Sequence, residues 1–240
     1  MKKIRLLRLV VQLIFLAMVF LRLHRQIAPA LAILLPLAFA AGNFFCGWLC
    51  PLGTTQECLG RIGAHLVQRR LRPPVGIQRR AQYARYLLAA VLLLLVALHA
   101  IRPEDLNALP LDAYQSFFAI FDGHPLTAAA TAFLALVLFL SLFLDRPFCN
   151  YICLNGIEYA LPSWTRIFTV KRRGQTCIAC KACDRSCPMH IEISGASEVR
   201  NLQCINCFSC LAACPVPKTL TYGKADLTLG KLKRWLGKLR

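Results

Sequence analysis

Cys177-Ile178-Ala179-Cys180-Lys181-Ala182-Cys183, closed by Cys187-Pro188, returns as Cys204-Ile205-Asn206-Cys207-Phe208-Ser209-Cys210, closed by Cys214-Pro215. Each cysteine of the second run lies 27 positions after its counterpart, which marks an internal repeat. Three cysteines separated by two residues let one short loop wrap three corners of an iron–sulfur cube, and the fourth cysteine of each run serves the other cube. The spacing therefore predicts one [4Fe–4S] cluster on Cys177, Cys180, Cys183 and Cys214, and a second on Cys204, Cys207, Cys210 and Cys187. Structural zinc is the rival reading, but zinc sites use two separated C-x2-C pairs rather than this triple. Ile178 and Ile205 hold equivalent places and are expected to shield the clusters from water. A domain of about fifty residues buries too little apolar surface to fold unaided, so its clusters must also hold it together. The expectation for residues 171–223 is a small α+β dicluster ferredoxin of the bacterial type.

Upstream of that domain the chain changes character. Of 240 residues 57% are hydrophobic, yet the formal net charge is +18. That combination points to membrane spans with basic flanks. A nucleic-acid binder can be as basic but needs no apolar runs of bilayer length, so no nucleic-acid partner is expected. Four stretches have the necessary character: 4–23, 27–45, 86–101 and 126–144. Arg5 and Arg8 are placed to snorkel at one end of the first, and Pro29 and Pro36 predict a kink in the second. Met1-Lys2-Lys3-Ile4-Arg5 with Ala28-Pro29-Ala30 imitates a secretory signal and its cleavage site, but we read the segment as a membrane helix. The expectation for 1–170 is thus an all-α membrane domain of four transmembrane helices arranged as two repeated pairs.

Basic residues orient these spans. Of the 29 lysines and arginines, all but Arg22, Arg25 and Arg102 fall on one side. By the positive-inside rule both termini and the ferredoxin domain are cytoplasmic, in a multi-pass protein of the inner membrane. Lys171-Arg172-Arg173-Gly174 links the two parts, and 102–125 is expected as a loop on the opposite face. In the tail, 224–240, Leu229, Leu232, Leu236 and Leu239 recur at helical spacing among basic residues, with Trp235 alongside. An amphipathic helix on an anionic bilayer and a solvated basic tail both fit.

Phe45-Cys46-Gly47-Trp48-Leu49-Cys50-Pro51-Leu52-Gly53 follows the second span, and Phe148-Cys149-Asn150-Tyr151-Ile152-Cys153-Leu154-Asn155-Gly156 follows the fourth. Both share F-C-x3-C with Gly three residues after the second cysteine. If each motif is the last turn of its span, cysteines four apart share a helix face about 5–6 Å apart. A third iron–sulfur centre, of unspecified nuclearity, is then expected on Cys46, Cys50, Cys149 and Cys153. Zinc, free thiols and two disulfides are the rivals, the last disfavoured on a reducing face. Pro51 should turn the first chain away at Cys50.

These features together make the sequence resemble the NapH/MauN-type membrane polyferredoxins, a family that also includes the membrane half of the NosR proteins. That family joins four membrane helices and two C-x3-C-P motifs to a C-terminal dicluster ferredoxin, and Leu154 departs from it by standing where a proline is expected. The resemblance implies a subunit that passes electrons between the quinone pool and other redox subunits, with quinol as the donor. Quinone reduction, the reverse direction, fits the same residues. No catalytic residue for a soluble substrate is visible, so a stand-alone enzyme is not expected. The alternative is a maturation factor that supplies electrons for assembling a metalloenzyme.

The remaining candidates are weaker. Cys58 reads as a buried free thiol; Glu57 and Glu158 could relay quinol protons, though pairing with Arg61 is the plainer fate of Glu57. His24, His99 and His124 map to the far ends of the helices, but no C-x-x-C-H is present and haem is not expected. Trp48, Trp164 and Tyr151 read as parts of an interfacial aromatic belt.

Overall fold

A computed structural model of the chain describes residues 2–23, 34–66, 71–99 and 112–225. Helix α1 (Lys2–Phe20) is followed by α2 (Leu34–Ala41), a π-helical turn (Phe45–Leu49), α3 (Pro51–Leu66) and α4 (Val75–Ala97). Then come α5 (Ala113–Asp122), α6 (Ala128–Leu140), the short α7 (Pro147–Tyr151) and α8 (Asn155–Ala160), and a 3-10 turn (Pro162–Thr165). The cysteine-rich half holds β1 (Phe168–Arg172), α9 (Ala182–Arg185), α10 (Ser209–Ala213) and β2 (Leu220–Lys224). The two strands pair antiparallel, with Val170 opposite Tyr222, so the first and last segments of this half close one sheet behind the two cysteine loops. That half has the expected α+β character.

The helical half departs from the expected pattern. Among the described residues one helix, Gly76–Ala97, is long and apolar enough to span a bilayer. The first helix carries Lys2, Lys3, Arg5 and Arg8 within its 19 residues. Of the second stretch only residues 34–45 are described, as α2 and the start of the π-helical turn. The fourth breaks after Leu140, where 141–146 turn and Arg146 adopts a left-handed conformation, φ 50°, ahead of Pro147. Within the expected 102–125 loop lies α5, capped by Asp112, whose carboxylate accepts from Tyr114 N at 2.9 Å, and stopped by Gly123 at φ 77°. Of the expected tail, Lys224 closes β2 and Ala225 follows it; the rest lies outside the described residues.

Two apolar cores carry the packing. Phe45, Leu52, Phe117, Leu134 and Phe148 form one among the helices, and Val170, Met189, Ile191, Val199 and Leu220 form the other behind the loops. Cys46 packs against both. Helix α3 approaches the 141–146 turn so closely that a Cβ on Gly63 would overlap the Leu142 carbonyl. Large apolar side chains meanwhile stay exposed along the helices, among them Leu7 and Ile14 on α1, Leu87 and Leu93 on α4, and Phe139 on α6.

Candidate metal centres

The internal repeat of the sequence is also a repeat of backbone conformation. Ala179 and its counterpart Asn206 have φ 54° and 47°, and Lys181 and its counterpart Phe208 have φ 53° and 56°. These left-handed residues curl each loop so that its cysteines converge, and each loop then enters a short helix, α9 or α10. Cys177, Cys180, Cys183 and Cys214 line one cavity, while Cys187, Cys204, Cys207 and Cys210 line another. All thirteen cysteines are free of disulfides. Asp184 braces the first loop by accepting from Ile193 N at 2.6 Å, Ser194 N at 2.9 Å and Ser194 Oγ at 2.5 Å. The two isoleucines expected to act alike do not. Ile205 is 5% exposed and Ile178 is 64% exposed, because residues 45–49 of the helical half cover the second loop.

The helical cysteines also converge, by a route other than the expected one. Neither motif continues its preceding helix. Cys46 lies in the π-helical turn and Cys149 in α7, both separate short turns. Cys50 is extended, ψ 113°, and Pro51 opens α3, as expected from the restriction that proline places on the residue before it. Cys46, Cys50, Cys149 and Cys153 line a single cavity, with Arg85, Tyr114, Arg146 and Asn155 around them. The glycine shared by the two motifs orients the second cysteine of each through its backbone amide. Gly53 N donates to Cys50 Sγ at 3.4 Å, and Gly156 N donates to Cys153 Sγ at 3.3 Å. Gln56 Nε2 stands 3.5 Å from Cys149 Sγ.

The electrostatics of this cavity favour an anionic metal group. Burial pushes the thiols up, Cys46 to about 11 and Cys50, Cys149 and Cys153 likewise upward, and a bound cation would favour their thiolates. Arg85 Nε, Arg146 Nε and Asn155 Nδ2 are buried without hydrogen-bond partners, and all three residues line the cavity. Unpaired buried donors are costly. Sulfides and thiolates of an iron–sulfur group are acceptors for such donors, and the residues present fit that group. Arg85, Arg146, Gln56 and Asn155 carry no signal of this role in the sequence; the repeated glycines were the one feature that pointed near them.

Beside the cavity, three arginines converge on one carboxylate. Glu57 receives Arg8, Arg61 at 2.9 Å and Arg146 at 2.8 Å. Arg8, expected to snorkel, is instead buried; its Nε donates to Gly47 O at 2.9 Å. Burial pushes the Glu57 carboxyl up, but Arg146 and Arg8 outweigh it and hold the group at about 2. Arg146 also donates to Cys46 O at 2.7 Å, tying the ion pairs to the π-helical turn. Glu158 is exposed, Cys58 is half-buried, and neither lines a cysteine cavity. His99 and His124 are exposed, and His24 lies outside the described residues.

The two halves meet where cavities meet. Met189 and Ile205 line both the helical cysteine cavity and that of Cys187, Cys204, Cys207 and Cys210. Gly47 lies so close beneath the Ile205 carbonyl that any Cβ there would overlap it. Trp48, expected in an interfacial belt, donates from Nε1 to Asn206 O at 3.0 Å, and Tyr222 OH donates to Ala41 O at 2.6 Å. Tyr151 is likewise taken up internally, by Gln78.

Comparison with known proteins finds iron–sulfur families over both halves. Residues 27–74 and 126–164 match a 4Fe–4S binding domain family, and residues 169–215 match a 4Fe–4S dicluster domain family. YccM of Escherichia coli, named for electron transport, is 29% identical over 182 residues, 74% of this chain and 50% of that one. NirI of Paracoccus denitrificans is 32% identical over 158 residues, covering 65% of this chain and 22% of NirI. The regulatory protein NosR of Pseudomonas aeruginosa is 29% identical over 144 residues, 60% of this chain and 20% of NosR. The chain thus spans half the length of the first of these relatives and about a fifth of the others. No solved structure matches it.

Proposed function

The chain belongs to the NapH/NosR-like family of 4Fe–4S proteins related to YccM and NirI, and from that premise we propose that it is a membrane-bound iron–sulfur electron-transfer subunit linking the quinone pool to a redox partner. The observation that carries this reading is the grouping of twelve cysteines into three cavities of four, two of which share Met189 and Ile205 as a wall. Cys177, Cys180, Cys183 and Cys214 would hold one [4Fe–4S] cluster, and Cys187, Cys204, Cys207 and Cys210 the second. Cys46, Cys50, Cys149 and Cys153 would hold a third centre. When bound, such centres supply one-electron chemistry through the iron valence. At the helical cavity the chain's own residues bury Cys50 and Cys153, orient their sulfurs through Gly53 N and Gly156 N, and place cationic donors beside them.

Four spans with both termini cytoplasmic remain the architecture we propose for the helical half, in the inner membrane. The exposed apolar side chains of α1, α4 and α6 support it, since soluble monomers seldom expose so continuous an apolar surface. Quinol would give up its electrons at the cytoplasmic boundary, between residues 46–57 and 149–158. Glu57 is poorly suited as the proton relay there, because its arginines hold it ionised. The test is anaerobic reduction of the reconstituted chain by a quinol, followed by electron paramagnetic resonance. Reduction that a quinone-site inhibitor slows is expected. Reduction by dithionite alone, with none by quinol, would overturn the quinone link.

A further inference from the structure

The two halves of the ferredoxin repeat differ in what covers them. At the second loop, Ile205 is buried, and the Phe208 ring packs edge-on against Phe44 and Trp48 at centroid distances of 5.7 and 6.1 Å. The helical half is the cover. At the first loop the counterparts are Ile178, 64% exposed, and Lys181, also exposed. A repeat built on equivalent backbone conformations therefore presents the same face twice. One copy is docked intramolecularly; the other faces outward with lysine in place of phenylalanine.

The surroundings of that open face are basic. Arg173 N donates to Thr219 O at 2.9 Å, and Thr219 Oγ1 lies 2.9 Å from Thr176 Oγ1. These bonds lay the 173–176 segment beside Lys218, while residues of 177–183 and 214–220 line one cavity. Exposed Lys181 lines that cavity with the apolar Ile178 and Pro215, and exposed Arg173 and Lys218 lie next to it, Arg173 bonded through its backbone to Thr219 of the lining and Lys218 preceding Thr219 in the chain. Among the described residues of this half the carboxylates are turned elsewhere. Asp184 is turned onto Ser194, Glu198 lies within reach of Lys171 and Arg200, and Glu192 sits against Gly195.

We propose that this face, centred on Ile178, is the docking surface for a soluble, acidic one-electron carrier. The proposal rests on reading the cavity of Cys177, Cys180, Cys183 and Cys214 as a cluster site, and it adds where the partner binds and of what chemistry it is. Exposed Cys180 brings the site to the surface at the middle of the patch. A small apolar centre with a like-charged rim steers an oppositely charged partner and releases it quickly, as a transient carrier requires. In each encounter the carrier gains the one electron that the chain loses, or the reverse, with no proton needed. An anionic bilayer is the other surface that basic and apolar side chains could meet, and the experiment separates the two.

The full, iron-replete chain in neutral-lipid nanodiscs is titrated with plant-type [2Fe–2S] ferredoxin, an acidic carrier, and with cytochrome c, a basic one. Hydrogen exchange locates the contact. The expected result is salt-sensitive ferredoxin binding that protects 173–181 and 215–219. The combined variant Arg173→Glu, Lys181→Glu and Lys218→Glu should weaken it at least tenfold and strengthen cytochrome c binding. Lys224→Glu, at the opposite end of β2, should leave both unchanged. Equal effects from the triple variant and the control, or protection elsewhere, would overturn the proposal, as would protection of the loop by anionic nanodiscs without a carrier. Iron content, measured on every sample, separates the failures: native protein lacking iron refutes the cluster reading, whereas the binding data judge the surface by themselves.

Discussion

Glu57 gathers three arginines around one carboxylate, and that environment sets its consequences. Replacing it with Gln leaves Arg8 and Arg146, 6% and 1% exposed at the side chain, without their shared partner. Truncating one member of a buried ion pair costs about 3–5 kcal/mol, so Glu57→Gln should lower the unfolding midpoint clearly, and the denaturation curve measures it. The sign with pH follows from the depressed carboxyl. Its contribution is complete above the ordinary value of 4.5 and is lost as pH falls from there through about 2. A stability profile of native against Glu57→Gln protein should therefore converge only at acid pH. Asn155 offers a second residue-scale test. Its buried, unpaired Nδ2 borders the cavity of Cys46 and Cys153. Donors near a cluster stabilise its reduced form, so Asn155→Leu should move one reduction potential to more negative values in a redox titration while the other two stay put.

At the scale of elements, the contact of α3 with the 141–146 turn decides whether the two cysteine motifs face one cavity. Gly63 permits that contact, and a valine there collides with the Leu142 backbone. Overpacking of this kind costs about 1–3 kcal/mol and displaces backbone. Gly63→Val should lose the third centre's signal while the ferredoxin signals survive, which spectra of native and variant protein would separate. Signals lost together would show that the halves fold as one unit. The glycine was visible in the sequence, but nothing there marked it as a contact, since its partner lies about eighty residues away along the chain.

For the whole molecule, a third centre in the helical cavity implies about ten to twelve irons per chain, whereas the two ferredoxin runs alone imply about eight. Anaerobic iron quantitation against protein mass decides between them. Changing Cys46 and Cys149 to Ser together should lower the higher figure to the lower one. Orientation is also a property of the whole chain. Under the proposed four-span topology all but three of its basic residues fall on one side, so a reporter fused after Arg240 should be active only in its cytoplasmic form. Activity of a periplasm-dependent reporter at that point would reverse the proposed topology.

Which ferredoxin-loop cysteines line each cavity was legible from sequence, because cysteines three apart must lie on one loop and the repeat paired each fourth cysteine with the other loop. The apolar stretches were equally visible, as composition needs no fold to be read. Other features depended on residues distant in sequence. That Cys46, Cys50, Cys149 and Cys153 share a cavity follows from the packing of α3 on the turn before α7. That Arg8 pairs with Glu57 rather than snorkelling follows from α1 crossing α3. The clearest case is the pair Ile178 and Ile205, identical in residue type and repeat position. Sequence assigned them one role, and tertiary structure divided them, because burial is conferred by what packs on a side chain, and the helical half packs on only one of the two loops.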